Sequence, residues 1–286
     1  MAYYILNINY QGKSAVDYWL DERGIAPIFY GQTTLAQLKA EKEHGLKPQA
    51  FVDAKRFVQT FTEVNENAIV FTIGEDNIYI FRQKGPLCEK GQHENDLVKG
   101  FEVEMIKKIK INSIPLVLTS IKANRHISSG TFRDLSGASY FGNRSALEFL
   151  LTGKQVVVNS YAEYLQCLSS LEFETLIAKF LEEKGVFVPA YKGGFIKNFD
   201  LFCKNLSTHS IHVGKMVIEP KGILSIQIKL NLKKEHLLRA VDVYFCIHSE
   251  IQDPRVYDWK FLEREIIPDG ITEKWLRTTL DWVVLK

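Results

Sequence analysis

The chain has 286 residues, of which 46% are hydrophobic and 24% charged, values near the globular average that exclude a disordered or fibrous protein. Its formal net charge of +2 is too mild to mark a nucleic-acid binder by itself. No run of about 18 apolar residues occurs, the N-terminus lacks the basic region and cleavage site of a secretory signal, and the four cysteines form no CxxC pair; we therefore expect a reduced, cytoplasmic protein with no membrane partner.

The first half reads as mostly strand. Tyr3–Ile8 is a short β-rich run. Ser14–Glu22 is expected as a helix with Ser14 as N-cap, ended by Gly24. Ile25–Tyr30 is extended, Leu35–His44 is a helix closed by Gly45, and Lys55–Val64 is a further short helix. Ala68–Ile73 and Asn77–Arg82 form a hairpin around Gly74-Glu-Asp-Asn. Lys84–Gly100 has the composition of a surface loop. Phe101–Ile111 alternates as a strand, Ile114–Ile121 is a helix or a buried strand, and Ser145–Leu151 is a helix ending at Gly153.

Basic residues gather in this half. Lys107, Lys108 and Lys110 cluster, and Lys122, Arg125, Arg133 and Arg144 follow in a stretch poor in acids. Such a group is either a solvated face or a phosphate-facing patch. Asn124, Arg125 and Arg133 supply donors suited to phosphate. Trp19, the hairpin and the basic strand suggest a barrel resembling PUA or EVE domains, some of which read flipped modified bases. Trp19, Tyr30, Phe132 and Tyr140 are the rings on hand for such a pocket, although rings of this kind more often build a core.

A domain boundary is expected within 152–162. Beyond it, Leu168–Lys184 is an amphipathic helix, with Ser169 or Ser170 as cap and Gly185 past its end. Val186–Pro189, Phe199–Lys204, Ile223–Leu232 and Val241–His248 read as strands, the last covered on both faces. Thr272–Leu285 is expected as a helix.

Chemistry concentrates in this second half, in the order Glu172/Glu174, Gly193-Gly194, Asp200, Gln227-Ile-Lys229. Gln227 and Lys229 are two apart in a strand and so share a face, opposite Ile226, Ile228 and Leu230. Asp200, projecting from a neighbouring strand, would bring a carboxylate to an amide oxygen and an ammonium, a set that suits Mg²⁺. A lone QxK occurs by chance in many proteins; here the order of elements gives it weight. Asp242 is the competing acid.

Three segments, Leu168-Ser-Ser-Leu-Glu-Phe-Glu-Thr-Leu-Ile-Ala, Lys192-Gly-Gly-Phe-Ile-Lys-Asn-Phe-Asp-Leu and Ser225-Ile-Gln-Ile-Lys, resemble the catalytic domain of Mrr-type restriction endonucleases. These belong to the PD-(D/E)XK nuclease superfamily. The resemblance covers about residues 160–250. It implies an α/β (α+β) fold whose nuclease core, 160–286, holds a helix, a mixed sheet of about four strands and a further helix, behind a β-rich recognition domain, 1–155. It also implies catalytic roles for Glu174, Asp200, Gln227 and Lys229, with Mg²⁺ (or Mn²⁺) held by Asp200 and Gln227. Lys192 and Lys197 join the DNA contacts. The bulky run after Gly193-Gly194 and the long 205–222 connection depart from the family pattern.

The implied function is Mg²⁺-dependent hydrolysis of phosphodiester bonds in double-stranded DNA, in restriction of foreign DNA, modified DNA included, with a homodimer able to cut both strands. An RNA-directed or repair nuclease of the same superfamily and a non-catalytic nucleic-acid binding module are the alternatives.

Overall fold

The computed structural model describes residues 1–10, 13–40, 48–123, 132–189 and 199–286. Helices and strands alternate in an α+β arrangement. The chain divides into two compact units, 1–114 with 118–140, and 115–117 with 141–286. The break falls ahead of the expected 152–162. The reason is local: Gly142 passes so close to the next helical segment that an added Cβ would lie 2.6 Å from the Cys167 carbonyl oxygen, and Asn143 donates to the Val117 carbonyl at 2.8 Å.

The first unit carries β1 (Ala2–Leu6), β2 (Asn9–Tyr10), β3 (Lys13–Ser14), β4 (Ile25–Phe29), α1 (Leu35–Lys39), α2 (Pro48–Phe61), β5 (Ala68–Ile73), β6 (Asn77–Gln83), β7 (Cys88–His93), β8 (Asp96–Lys110) and β9 (Phe132–Asp134), with α3 (Leu116–Ala123), whose first two residues count in the second unit, preceding β9. Its sheet runs β4-β8-β6-β5-β1-β9, and β7 pairs with β8. Among the described strands of this sheet only β1 and β5 pair in parallel, and the chain between them supplies α1 and α2. Ser14 lies in β3, so it does not cap a helix. The helical turn that follows is π-helical over Tyr18–Glu22 and has no side-chain cap; Gly24 ends it at φ +63°.

The expected loop 84–100 is largely a hairpin. Cys88 pairs with Gly100 and His93 with Asp96. Val98 to Phe101 are buried in an unbroken row, as in a strand covered on both faces, while β7 stays partly exposed. Gly100 is required by packing: a Cβ there would sit 2.6 Å from the Ala26 carbonyl oxygen. Ala54, Phe57, Val58 and Phe61 fall at helical spacing on one face of α2 and are buried. Phe57 and Phe61 pack against Phe101 and Phe132.

The second unit holds α4 (Phe141–Thr152), β10 (Val156–Val158), α5 (Tyr161–Gln166), α6 (Ser170–Glu183), β11 (Leu201–Lys204), β12 (Ile211–Val213), β13 (Met216–Ile218), β14 (Ile223–Leu232), β15 (Val243–Ser249), β16 (Val256–Tyr257), α7 (Trp259–Glu265), α8 (Ile271–Thr279) and β17 (Val283–Leu285). The main sheet is β11-β14-β15-β16. β11 is antiparallel to β14, and β14, β15 and β16 run parallel. From the expected strand 186–189, Phe187 makes one antiparallel bridge to Lys204. The connection 205–222 holds the hairpin β12–β13.

Two further features differ from expectation. The C-terminal segment is not one helix: α8 ends at Thr279, and Val283–Leu285 pairs in parallel with β10, as suits the consecutive β-branched residues Val283 and Val284. The crossover from β14 to β15 spans only 233–242 and contains a single 3₁₀ turn, Lys234–His236, where parallel neighbours usually need a helix.

Candidate active site

Strand register assembles the second unit's polar cluster. Leu201 pairs with Ile226 and Phe202 with Ser225, so Asp200, one residue outside β11, stands opposite Gln227. Opposed antiparallel residues share a face, their Cβ atoms about 5 Å apart. Lys229 lies on the same face two residues on. Ile228 N–H donates to Asp200 Oδ2 at 2.6 Å, and Lys229 Nζ donates to the same oxygen at 3.2 Å. The pair is half-buried, with side-chain exposures of 31% for Lys229 and 22% for Asp200. Gln227 Oε1 is buried and accepts no hydrogen bond among the described residues. A buried unsatisfied amide oxygen costs about 1–3 kcal/mol, so this site holds an acceptor in want of a donor or a cation.

Asp200, Gln227 and Lys229 are therefore brought together. Glu174 comes from a helix rather than from the sheet. Its helix, α6, packs on the other face of the sheet, where Phe180 meets Phe245 at 6.2 Å and Phe245 is the register partner of Ile228; Glu174 sits half-buried on the flank of that helix. Glu172 has a structural task. It closes a capping box in which Ser169 N–H donates to its carboxylate and Glu172 N–H donates to Ser169 Oγ. Burial pushes its carboxyl above the usual carboxylate range. Asp242 accepts from Ser225 N–H and from Ser225 Oγ at 2.8 and 2.7 Å, which ties β15 to β14.

The nucleic-acid contacts fare unevenly. Asn124, Arg125, Lys192 and Lys197 lie outside the described residues. Lys122 belongs to α3. Arg133 is half-buried on β9 in the first unit, while Arg144 is half-buried on α4 in the second. Lys108 is engaged by Asp21 at 2.6 Å and lies over the Tyr79 ring, which withdraws it from the expected phosphate-facing cluster. Tyr79 Oη meets Asp17 and Asp21, and burial with these two carboxylates raises its phenol.

The four candidate rings mostly build the core. Phe132 is fully buried and stacks on Tyr4 at 5.1 Å. Trp19 is buried against Phe29 and His93. Tyr30 is buried, and Tyr140 ends a 3₁₀ turn, half-exposed. Trp19 and Phe132 belong to one buried core cluster.

Sequence reasoning stopped at Lys229 and missed the next residue of its row. Asn231 follows on the same face, paired with His248 of β15; its spacing of two from Lys229 was the available signal. The backbone amide of Ile228, which holds Asp200, leaves no side-chain signature to find.

No protein-family model, curated protein or solved structure matches this chain. Among the described residues no group of three His, Cys, Asp or Glu side chains is gathered for a metal, and no helix is long and apolar enough to cross a membrane.

Proposed function

We propose that this protein is a Mg²⁺-dependent endonuclease acting on double-stranded DNA, with its active site at Asp200, Gln227 and Lys229. The observation that carries the reading is the buried Gln227 Oε1, without a hydrogen-bond partner among the described residues, beside a carboxylate already oriented by an amide and an ammonium. Oxygen donors of this kind fit Mg²⁺, which needs few protein ligands because water and substrate phosphates complete its shell. Asp200 and Gln227 would hold the ion. When bound, it would supply an acidified water and offset charge building on the phosphate.

Asp200 is fixed by the Ile228 amide, so its carboxylate is aimed before substrate arrives. Lys229 keeps a cationic donor on the reacting face, able to orient the attacking water or to pair with a phosphate oxygen. The antiparallel β11–β14 pair and the parallel β14–β15 pair give the mixed sheet that the resemblance implies. In this reading the first unit serves recognition, modified bases included, and a homodimer would present two sites to the two strands.

The test is cleavage of plasmid DNA in Mg²⁺ or Mn²⁺, unmodified and carrying modified cytosine, by the wild type and by Lys229→Ala. Metal-dependent nicking lost in the variant is expected. Cleavage that survives the substitution would remove the site, and no cleavage of either plasmid would remove the function.

A second reading rests on Asp200 itself. Its carboxylate takes the Ile228 amide just before β11 begins, so the cluster can serve as a strand terminus in a non-catalytic nucleic-acid binding module. DNA binding with no metal-dependent cleavage would select it.

A further inference from the structure

The face that carries Gln227 and Lys229 continues along β14. We propose that the cleft at the carboxyl ends of β14 and β15 binds the DNA backbone phosphate next to the one that is cut. The inference rests on the nuclease reading and adds a second anchoring point to it.

Register supplies the first argument. Gln227, Lys229 and Asn231 occupy one face, and their partners on β15 are Tyr244, Cys246 and His248. Exposure rises along the row: Gln227 and Lys229 are half-buried, and Asn231 and His248 are exposed. Two residues of strand advance the row by about 6.6 Å from Lys229 to Asn231. That step is of the same order as the spacing of successive phosphates along one strand.

The cleft supplies the second. A volume of about 490 Å³ is lined by Asn231, Lys233, Lys234, His248 and Ser249, with Glu250 as its acid and Leu232 and Ile251 as its apolar wall. The lining residues carry an amide, two ammonium groups, an imidazole and a hydroxyl, groups of the kind that protein surfaces offer to phosphate oxygens. His248 is itself held by a contact with Gln166 at the end of α5. The location also fits a general rule: ligands of open α/β sheets bind beyond the carboxyl ends of parallel strands. In the short 233–242 crossover, Leu237 and Leu238 pack with Tyr244.

The experiment compares the full-length wild type with a Lys233→Gln/Lys234→Gln double variant and with His248→Gln. Each is titrated with a fluorescent DNA duplex at several salt concentrations without added metal, and Mg²⁺-dependent cleavage is measured in parallel. A phosphate contact adds about 0.9 to the slope of log K against log salt. We expect the double variant to bind about 5-fold or more weakly, with its slope reduced by about 1 and with KM rather than kcat carrying most of the loss in cleavage. Unchanged affinity and slope would overturn the cleft, while cleavage lost in Lys229→Ala would still stand for the nuclease. Absent cleavage with a reduced slope would do the reverse. A wild type that binds no duplex at any salt would overturn the cleft outright. If the double variant melts early, the single lysine variants carry the same comparison, with slope as the readout.

Discussion

Asp200 Oδ2 accepts from both the Ile228 amide and the Lys229 ammonium, so this residue holds structure as well as offering chemistry. Asp200→Ala would leave a strand amide and an ammonium without their acceptor. We expect a loss of about 1–3 kcal/mol in urea denaturation, together with loss of any metal-dependent cleavage. Asp200→Asn keeps an acceptor for the amide, so it should lose much less stability while losing activity about 100-fold or more; equal stability losses in the two variants would dissociate the carboxylate from its hydrogen bonds. Lys99 offers a test in the first unit. It is 0% exposed and donates to the Thr33 carbonyl at 2.7 Å, and burial pulls its ammonium down to about 8 from 10.5. The unfolded chain therefore binds more protons between these values, and stability should rise with pH across about 8 to 10.5. Lys99→Met should flatten that rise. A pH profile of the denaturation midpoint that is unchanged by the substitution would refute the assignment.

At the level of elements, α6 shows what the residue pattern declares in advance. A serine cap at Ser169 or Ser170, the stripe Leu176, Ile177, Phe180 and Leu181, and Gly185 past the end were legible; the helix is capped by Ser169, buries that stripe together with Phe173 rather than Leu171, and has Gly185 at φ +89°. Ser169→Ala should cost about 1 kcal/mol in thermal or chemical unfolding; no measurable change would mean that the Glu172 carboxylate alone holds the helix start. The same-face spacing of Gln227 and Lys229 was equally legible, because period two is intrinsic to a strand. What stayed hidden was decided by partners far away in the chain. The polar run 88–100 becomes a hairpin because β8 is a deep strand that offers it a ladder, and Val283–Leu285 leaves the helix because β10 stands waiting. The face of the sheet on which α6 lands depends on packing against Phe245. No local signal reports that.

For the molecule as a whole, the two units own separate interiors. The first is filled by rings of α2 and the curled sheet, and the second by α6 against β14 and β15. Phe57→Ala empties space in the first interior alone and should cost that unit about 3–5 kcal/mol. Calorimetry is expected to show one component of the unfolding shifted downward and the other unmoved; a single transition displaced as a body would show that the units melt together. The brief crossover between β14 and β15 also has a kinetic meaning. It joins Ile226 to Val243 across 17 positions, whereas β1 must find β5 across the 66 that separate Ala2 from Ala68. Closing the longer loop costs about 1 kcal/mol more chain entropy. On refolding, amides of β14 and β15 should gain protection from solvent exchange before those of β1 and β5, so the strand that bears Gln227 and Lys229 would be among the earliest parts of the protein to take its final form.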